Sequence, residues 1–135
     1  MPGRENEKKR ILIVDDDIRA TAIFAQMLRE DGHEVTVAHD GDEGIELMRQ
    51  FAIPDILVTD VRMPHVDGFA VARYARERSP TIPIFFVTGY PDQVSRRLKS
   101  LDPKPHVFVK PLDYVALATK ISSMVSSVES TRRGR

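Results

Sequence analysis

The sequence predicts an α/β fold in which a parallel sheet is covered by helices on both faces. Short apolar runs alternate with helix-like stretches five times along a chain of 135 residues. Three of the apolar runs are nearly continuous, which is typical of strands that are buried on both faces of a parallel sheet. The length fits one domain with a proper core, and the β-α alternation favours right-handed crossovers.

Each predicted strand is a short run of apolar or β-branched residues. The predicted strands are residues 11–14, 35–38, 56–59, 82–88 and 107–109. The first, third and fourth runs are the most apolar, so we expect those strands to be buried on both faces.

Each predicted helix follows a strand and has apolar residues spaced along one face. The predicted helices are residues 18–31, 41–51, 68–78, 91–101 and 114 to about 128. Gly32 indicates the end of the first helix, whose buried face is expected to hold Ala20, Ile23, Phe24, Met27 and Leu28. Asp40 is predicted to cap the second helix with Glu43 as its partner, and Pro91 to begin the fourth.

The composition excludes several classes of protein. The formal net charge is zero, which gives no support for a general attraction to nucleic acid or anionic lipid. The chain has no cysteine, which excludes disulfides and thiolate metal sites and suits the cytosol. No segment resembles a signal peptide or a membrane span. Residues 1–9 are expected to form a charged, disordered tail, and residues 129–135 a frayed, basic one.

Polar residues follow four of the predicted strands. Asp15–Asp17 come after the first strand, Asp60 after the third, Thr88 ends the fourth, and Lys110 follows the fifth. Ligands of open α/β sheets bind beyond the carboxyl ends of the strands, so these side chains are expected at one edge. Each residue alone is also explained as a helix cap or a solvated charge, but the combination favours a site.

The chemistry of that combination points to phosphoryl transfer. Several carboxylates within a few ångströms repel one another unless a cation joins them, and oxygen ligands suit Mg²⁺. Lys110 offers a positive charge to a phosphoryl oxygen, and Thr88 offers a hydrogen bond. Asp60 is then equipped to attack phosphorus and form an aspartyl phosphate.

Four segments of the chain resemble the receiver domain of two-component response regulators. They read "ILIVDDD", "DILVTDVRMPHVDGF", "IPIFFVTGY" and "VFVKPLD". The resemblance covers residues 10–128. It implies a flavodoxin-like (βα)₅ three-layer sandwich whose five-stranded parallel sheet has the order 2-1-3-4-5.

The resemblance also implies roles for single residues. Asp60 matches the phosphoacceptor, and Thr88 and Lys110 match the other two catalytic residues. The residues that match the metal ligands, for Mg²⁺ or Mn²⁺, are Asp15, Asp16, Asp60 and the backbone carbonyl of Arg62. The Lys110–Pro111 bond is expected to be cis.

A receiver domain implies a bacterial, cytoplasmic signalling module rather than an enzyme with turnover. The phosphoryl group would come from a sensor histidine kinase or a phosphotransfer protein. A downstream protein would then bind the face made by helix 4, strand 5 and helix 5. The resemblance implies no direct contact with nucleic acid or membrane, and a monomer or weak dimer. The chain is either a stand-alone receiver or a domain of a larger regulator or hybrid histidine kinase.

Two departures from the family pattern concern the output. Val107 stands where receivers commonly carry the Tyr or Phe of a Thr–aromatic switch, with Phe108 one place later. Residues 102–106 contain two prolines where a small Gly-Ala stretch is common. The site therefore matches the family, whereas the usual readout is expected to differ.

Three alternatives to this reading remain. A phosphohydrolase with an Asp nucleophile would need a second carboxylate where Arg62 stands. A degenerate receiver that acts without phosphorylation would not need the intact set of site residues. A flavin- or nucleotide-binding protein of similar fold would need a phosphate loop after the first strand, where this chain has acids.

Overall fold

The computed structural model describes the backbone of residues 9–133 and, within α5, the side chains of residues 114–124. Five parallel strands form one sheet in the order β2-β1-β3-β4-β5, which confirms the predicted flavodoxin-like fold. The strands are β1 Arg10–Val14, β2 Glu34–Ala38, β3 Ile56–Asp60, β4 Ile84–Thr88 and β5 His106–Val109.

Helices cover both faces of the sheet. They are α1 Ile18–Glu30, α2 Gly41–Gln50, α3 Gly68–Arg78, α4 Pro91–Arg97 and α5 Tyr114–Arg133, and a 3₁₀ turn at Leu98–Ser100 follows α4. One core cluster lies between the sheet and α2, α3 and α4, and the other lies between the sheet and α1 and α5. All residues of β3 and β4 are buried, as central strands of a parallel sheet require.

Several element ends differ from the predicted ones. Asp60 belongs to β3, because its backbone continues the pairing with β4. The fourth strand begins at Ile84 rather than at residue 82, since Pro83 has no amide to donate to the ladder. The fourth helix was expected to reach residue 101 but ends at Arg97.

The last helix continues to Arg133, beyond its predicted end near residue 128. Residues 129–133, predicted as part of the basic C-terminal tail, therefore belong to α5. Residues 1–8 and 134–135 lie outside the described residues.

The buried face of α1 is rotated from the predicted one. Ile23 is 63% exposed, so its expected place in the core is wrong. The buried residues of α1 are Thr21, Phe24, Ala25 and Leu28, which share one face at helical spacing.

Caps fix the ends of the first two helices. The Asp40 side chain accepts a hydrogen bond from the Glu43 amide at 2.7 Å, as predicted. The Glu43 carboxylate accepts from the His39 amide at 2.6 Å, one residue before the cap. Gly32 has a φ of 95°, a left-handed conformation that favours glycine at the end of α1.

Candidate functional site

Backbone pairing places the predicted site residues at one edge of the sheet. Asp15 follows β1 directly and its amide donates to the Ala38 carbonyl at 3.0 Å. Asp60 and Thr88 are the last residues of the adjacent strands β3 and β4. The amide of Lys110 donates to the Thr88 carbonyl at 2.8 Å, which holds the start of the next loop against β4.

Three carboxylates converge at this edge. Oxygens of Asp15, Asp16 and Asp60 all lie within 4.8 Å of one another. Asp15 and Asp60 are each only 6% exposed, whereas Asp16 is exposed to solvent. Since charged groups are rarely buried without a partner, this cluster needs compensating positive charge.

The third acid of the run, Asp17, has a different role. Its side chain accepts a hydrogen bond from the Ala20 amide at 3.0 Å and caps α1. Its own amide donates to the Asp15 carboxylate at 2.9 Å. The run of three acids therefore divides into two members of the cluster and one helix cap.

Lys110 supplies positive charge to the cluster. Its ammonium nitrogen lies 3.1 Å from Oδ2 of Asp60 and 3.7 Å from Oδ2 of Asp15. Burial lowers the pKa of Lys110, but the charges of Asp15 and Asp60 and the Asp60 hydrogen bond outweigh burial, so the pKa is raised. The lysine therefore stays protonated beside two buried carboxylates.

The surroundings of Asp15 disfavour its charged form. Burial raises its pKa to about 6, the Asp17 amide opposes that rise, the nearby Asp60 adds to it, and Lys110 lowers it. One ammonium thus leaves a cluster of three carboxylates only partly neutralised. An all-oxygen set with unbalanced negative charge fits a hard divalent cation such as Mg²⁺.

Thr88 is buried at 1% exposure and its hydroxyl is already engaged. Its Oγ1 accepts a hydrogen bond from the Tyr90 amide at 2.9 Å. Thr88 also lines a groove of about 560 Å³ between the loop after β3 and α4. The guanidinium carbon of Arg62 lies 4.4 Å from the centre of the Tyr90 ring across this groove.

Two further predictions concern the Lys110–Pro111 peptide bond and the Arg62 carbonyl. The Lys110–Pro111 bond is cis, as the resemblance implied. The metal-binding role of the Arg62 carbonyl stays a prediction. The contact described for Arg62 is that of its guanidinium group with the Tyr90 ring, and it does not involve the carbonyl.

The start of α3 packs directly on the backbone of Asp60, a contact that the sequence reasoning missed. A Cβ atom at Gly68 would collide with the Asp60 carbonyl oxygen, so glycine is required by close approach. The Gly68 amide donates to the Val61 carbonyl at 2.8 Å. In the sequence, Asp67 and Gly68 before an apolar run indicate the start of a helix, but they do not indicate its contact with Asp60.

Val107, at the position of the usual switch aromatic, and Phe108, one place later, lie on opposite faces of the sheet. Val107 packs in the cluster beneath α2, α3 and α4. Phe108 packs in the cluster beneath α1 and α5, with its ring 6.1 Å from that of Phe85. Phe108 therefore does not replace an aromatic residue at 107, because neighbouring strand residues point to opposite faces.

The strand order and the position of the acidic edge define the class of CheY-like receiver domains. The family model described as "Response regulator receiver domain" matches residues 11–122. The chain belongs to this family, and it is a receiver domain of two-component signalling.

Curated relatives agree with this assignment. The chain is 35% identical over 127 residues to the probable transcriptional regulator ycf27 of Cyanophora paradoxa, covering 93% of the chain and 52% of that protein. It is 41% identical over 93 residues to the response regulator MprA of Mycobacterium ulcerans, covering 69% of the chain and 39% of that protein. The chain thus spans about half the length, or less, of these relatives.

Solved structures of receiver domains have the same fold. A response regulator receiver protein from Sinorhizobium medicae superposes with a TM-score of 0.76 at 31% identity, covering 89% of this chain and 96% of that one. The receiver domain of the hybrid histidine kinase CckA gives 0.70 at 29% identity, covering 86% and 98%. Among the described helices, none combines the length and apolar character needed to cross a membrane.

Proposed function

We propose that Asp60 accepts a phosphoryl group from a phosphohistidine of a sensor histidine kinase or a phosphotransfer protein. The reaction requires Mg²⁺ or Mn²⁺, and the product alters the binding of a downstream protein. The observation that carries this proposal is the Asp60 carboxylate itself. It is nearly buried, it ends a central strand, and it lies 3.1 Å from the Lys110 ammonium beside two further acids.

The chemistry is an in-line transfer between a nitrogen and an oxygen. A carboxylate oxygen of Asp60 attacks phosphorus, the N–P bond to the imidazole breaks, and its electron pair returns to the ring nitrogen. Lys110 pairs with the charge on the phosphoryl oxygens. Thr88 ends the adjacent strand, and its hydroxyl, which accepts from the Tyr90 amide, still has its own hydrogen to donate to a phosphoryl oxygen. Attack of water on the acyl phosphate later regenerates the carboxylate, so turnover is limited to the domain's own phosphoryl group.

The acids define where a divalent cation would bind. Asp15, Asp16 and Asp60 would hold it, with the Arg62 carbonyl as the further ligand that the family pattern suggests. When bound, the cation neutralises charge on the carboxylates and on the phosphoryl oxygens.

The proposed output surface is the face made by α4, β5 and α5. Exposed basic residues lie on α4 and on the loop that follows it, namely Arg96, Arg97, Lys99 and Lys104. Val109 on the edge strand β5 is 50% exposed, which adds an apolar contact for a protein partner. We place the module in the cytoplasm, where the proposed donors present their phosphohistidine.

Intact mass measurement tests the proposal. The protein is incubated with Mg²⁺ and phosphoramidate, a small phosphodonor with an N–P bond, and is then weighed. The wild type is expected to gain one phosphoryl group, whereas Asp60→Asn or the wild type in excess chelator gains none. Steady turnover of a simple phosphomonoester with no stable gain in mass would instead favour a phosphohydrolase.

A further inference from the structure

Helix α4 is short and lightly anchored. Val94 is the one buried residue of α4, every residue of which the structure describes. Its N-cap, Tyr90, makes no side-chain capping bond. The position of α4 therefore depends on the few side chains that connect it with the rest of the domain.

Arg97, the last residue of α4, makes two contacts with α3. Its Nη1 lies 3.2 Å from Oδ2 of Asp67. Its guanidinium carbon lies 3.9 Å above the centre of the Phe69 ring. Because the Phe69 ring is 1% exposed and packs 4.7 Å from Phe86 of β4, Arg97 rests on a fixed part of the core.

Asp67 serves α4 and α3 at once. One of its carboxylate oxygens binds Arg97, and the other accepts the Ala70 amide at 2.9 Å as the N-cap of α3. The next residue, Gly68, packs against the carbonyl of Asp60 and donates to Val61. The residue that holds Arg97 is therefore joined directly to the segment that packs on the proposed phosphoacceptor.

We infer that Arg97 is a positioning residue that clamps α4 to the start of α3 and so links its position to Asp60. The link, termed here the Arg97 clamp, comprises Arg97, Asp67 and Phe69. It bypasses Thr88 and residue 107, where this chain lacks the usual aromatic side chain. The coupling to phosphorylation rests on the proposed function, whereas the clamp itself is a property of the unphosphorylated protein.

The strength of the clamp comes from its combination of contacts. The side chains of Arg97 and Asp67 are 47% and 38% exposed, so their ion pair alone contributes little. Stacking of Arg97 on a buried aromatic ring adds to it. The groove beside the clamp, about 560 Å³, gives this part of the domain room to rearrange.

Hydrogen exchange of the α4 amides tests the clamp without phosphorylation. Arg97→Ala removes both contacts, and Asp67→Asn removes the charge while keeping an oxygen for the cap of α3. Arg97→Ala is expected to raise exchange of the α4 amides about 3- to 10-fold, from the energies of an exposed ion pair and a cation–π contact. Asp67→Asn is expected to raise it by a smaller factor, because Arg97 keeps its contact with the Phe69 ring. Arg96→Ala is the matched control, because Arg96 is exposed and makes no ion pair within the described residues.

The double variant Arg97→Ala/Asp67→Asn sharpens the result. Residues that act through one contact give a combined effect smaller than the product of the single effects. Unchanged exchange in Arg97→Ala, or an equal rise in Arg96→Ala, would show that Arg97 does not hold α4 in place.

Binding of beryllofluoride with Mg²⁺ tests the link to Asp60, since this ion mimics an acyl phosphate. If occupancy of Asp60 loosens the clamp, then removing the clamp must favour occupancy by the same factor. By this reciprocity, Arg97→Ala is expected to bind beryllofluoride about 3- to 10-fold more tightly than wild type. Arg96→Ala is expected to bind it with the affinity of wild type. Equal affinity in all three proteins would overturn the link.

The two proposals fail in different ways. If no protein takes up a phosphoryl group or beryllofluoride, the proposed function and the link to Asp60 both fail, while α4 exchange still decides whether the clamp exists. If phosphorylation proceeds and changes α4 exchange equally in wild type and Arg97→Ala, the phosphorylation assignment stands and the link through Arg97 is wrong.

Discussion

Asp16 and Asp17 are adjacent acids in one loop, but the structure gives them different surroundings. Asp16 shares a cluster with Asp15 and Asp60, whereas Asp17 caps α1. The sequence alone did not separate these roles, because any member of a run of acids before a helix is a suitable cap. Only the backbone path after β1 decides which carboxylate faces the cluster.

This difference gives a matched pair of variants. Asp16→Asn removes a proposed metal ligand, while Asp17→Asn removes the same charge from the same loop and keeps a good cap. Titration with Mg²⁺ is expected to show affinity lowered by about tenfold or more for Asp16→Asn, as for the loss of a group that supports a metal site. Asp17→Asn should change it little. Equal losses in the two variants would mean that only net charge matters.

His33, at the turn before β2, gives the domain a pH dependence. Burial lowers the pKa of His33, Asp31 opposes this effect, and Lys9 adds to it. Its Nδ1 is buried without a hydrogen-bond partner among the described residues. A neutral imidazole is therefore favoured in the folded state.

The sign of the effect follows from linkage. Because the folded pKa lies below the unfolded value of 6.5, this contribution to stability is present above pH 6.5 and is lost as the pH falls toward the folded pKa. Denaturation from pH 7.5 down to pH 5 is expected to show a smaller loss of unfolding free energy in His33→Asn than in wild type. His39→Asn is the control, since His39 is exposed. An identical pH profile in His33→Asn and wild type would contradict this role.

At the scale of helices and strands, the sequence predicted the order of elements well and their packing less well. The strands were recognisable because central parallel strands are nearly continuous in apolar residues. The end of α4 was missed because Leu98 and Leu101 fit both an α-helix and a 3₁₀ turn at this spacing. The contact of Arg97 with Asp67 joins residues 30 positions apart, which no local pattern indicates.

Gly68 and Gly89 differ in the space available for a side chain. A Cβ at Gly68 would collide with the backbone of Asp60, whereas a Cβ at Gly89 meets no atom within 4 Å. Gly68→Ala is therefore expected to lower the unfolding free energy by about 1–3 kcal/mol, as for an overpacked site. Gly89→Ala should stay within about 0.5 kcal/mol of wild type. Chemical denaturation measures both, and a neutral Gly68→Ala would contradict the close packing of α3 on β3.

The loop after β4 is the element expected to respond to Asp60. Thr88 accepts a hydrogen bond from the Tyr90 amide, so a movement of the Thr88 side chain acts directly on residues 89–92. Val107 is β-branched and cannot make the large rotation of an aromatic ring. Chemical shifts with and without beryllofluoride are expected to change strongly at residues 89–99 and little at 107. A rearrangement centred on Val107 would show that the usual pathway persists.

At the scale of the whole molecule, different observations support the family assignment and the proposed site. The strand order, the family match and the solved relatives establish a receiver domain. The convergence of Asp15, Asp60 and Lys110 was predictable because carboxyl ends of parallel strands meet at one edge. The side-chain contacts among them, such as that of Lys110 with Asp60, were not predictable, because only the folded chain brings these residues together.

The most direct test of the central claim is to locate the phosphoryl group on the chain. The protein is phosphorylated with Mg²⁺ and phosphoramidate, the acyl phosphate is reduced with borohydride, and the peptides are sequenced by tandem mass spectrometry. Reduction converts a phosphorylated aspartate into homoserine, and the account predicts homoserine at position 60 alone. Homoserine at Asp15 or Asp16, or a phosphoryl group found on a histidine or hydroxyl residue instead, would contradict it.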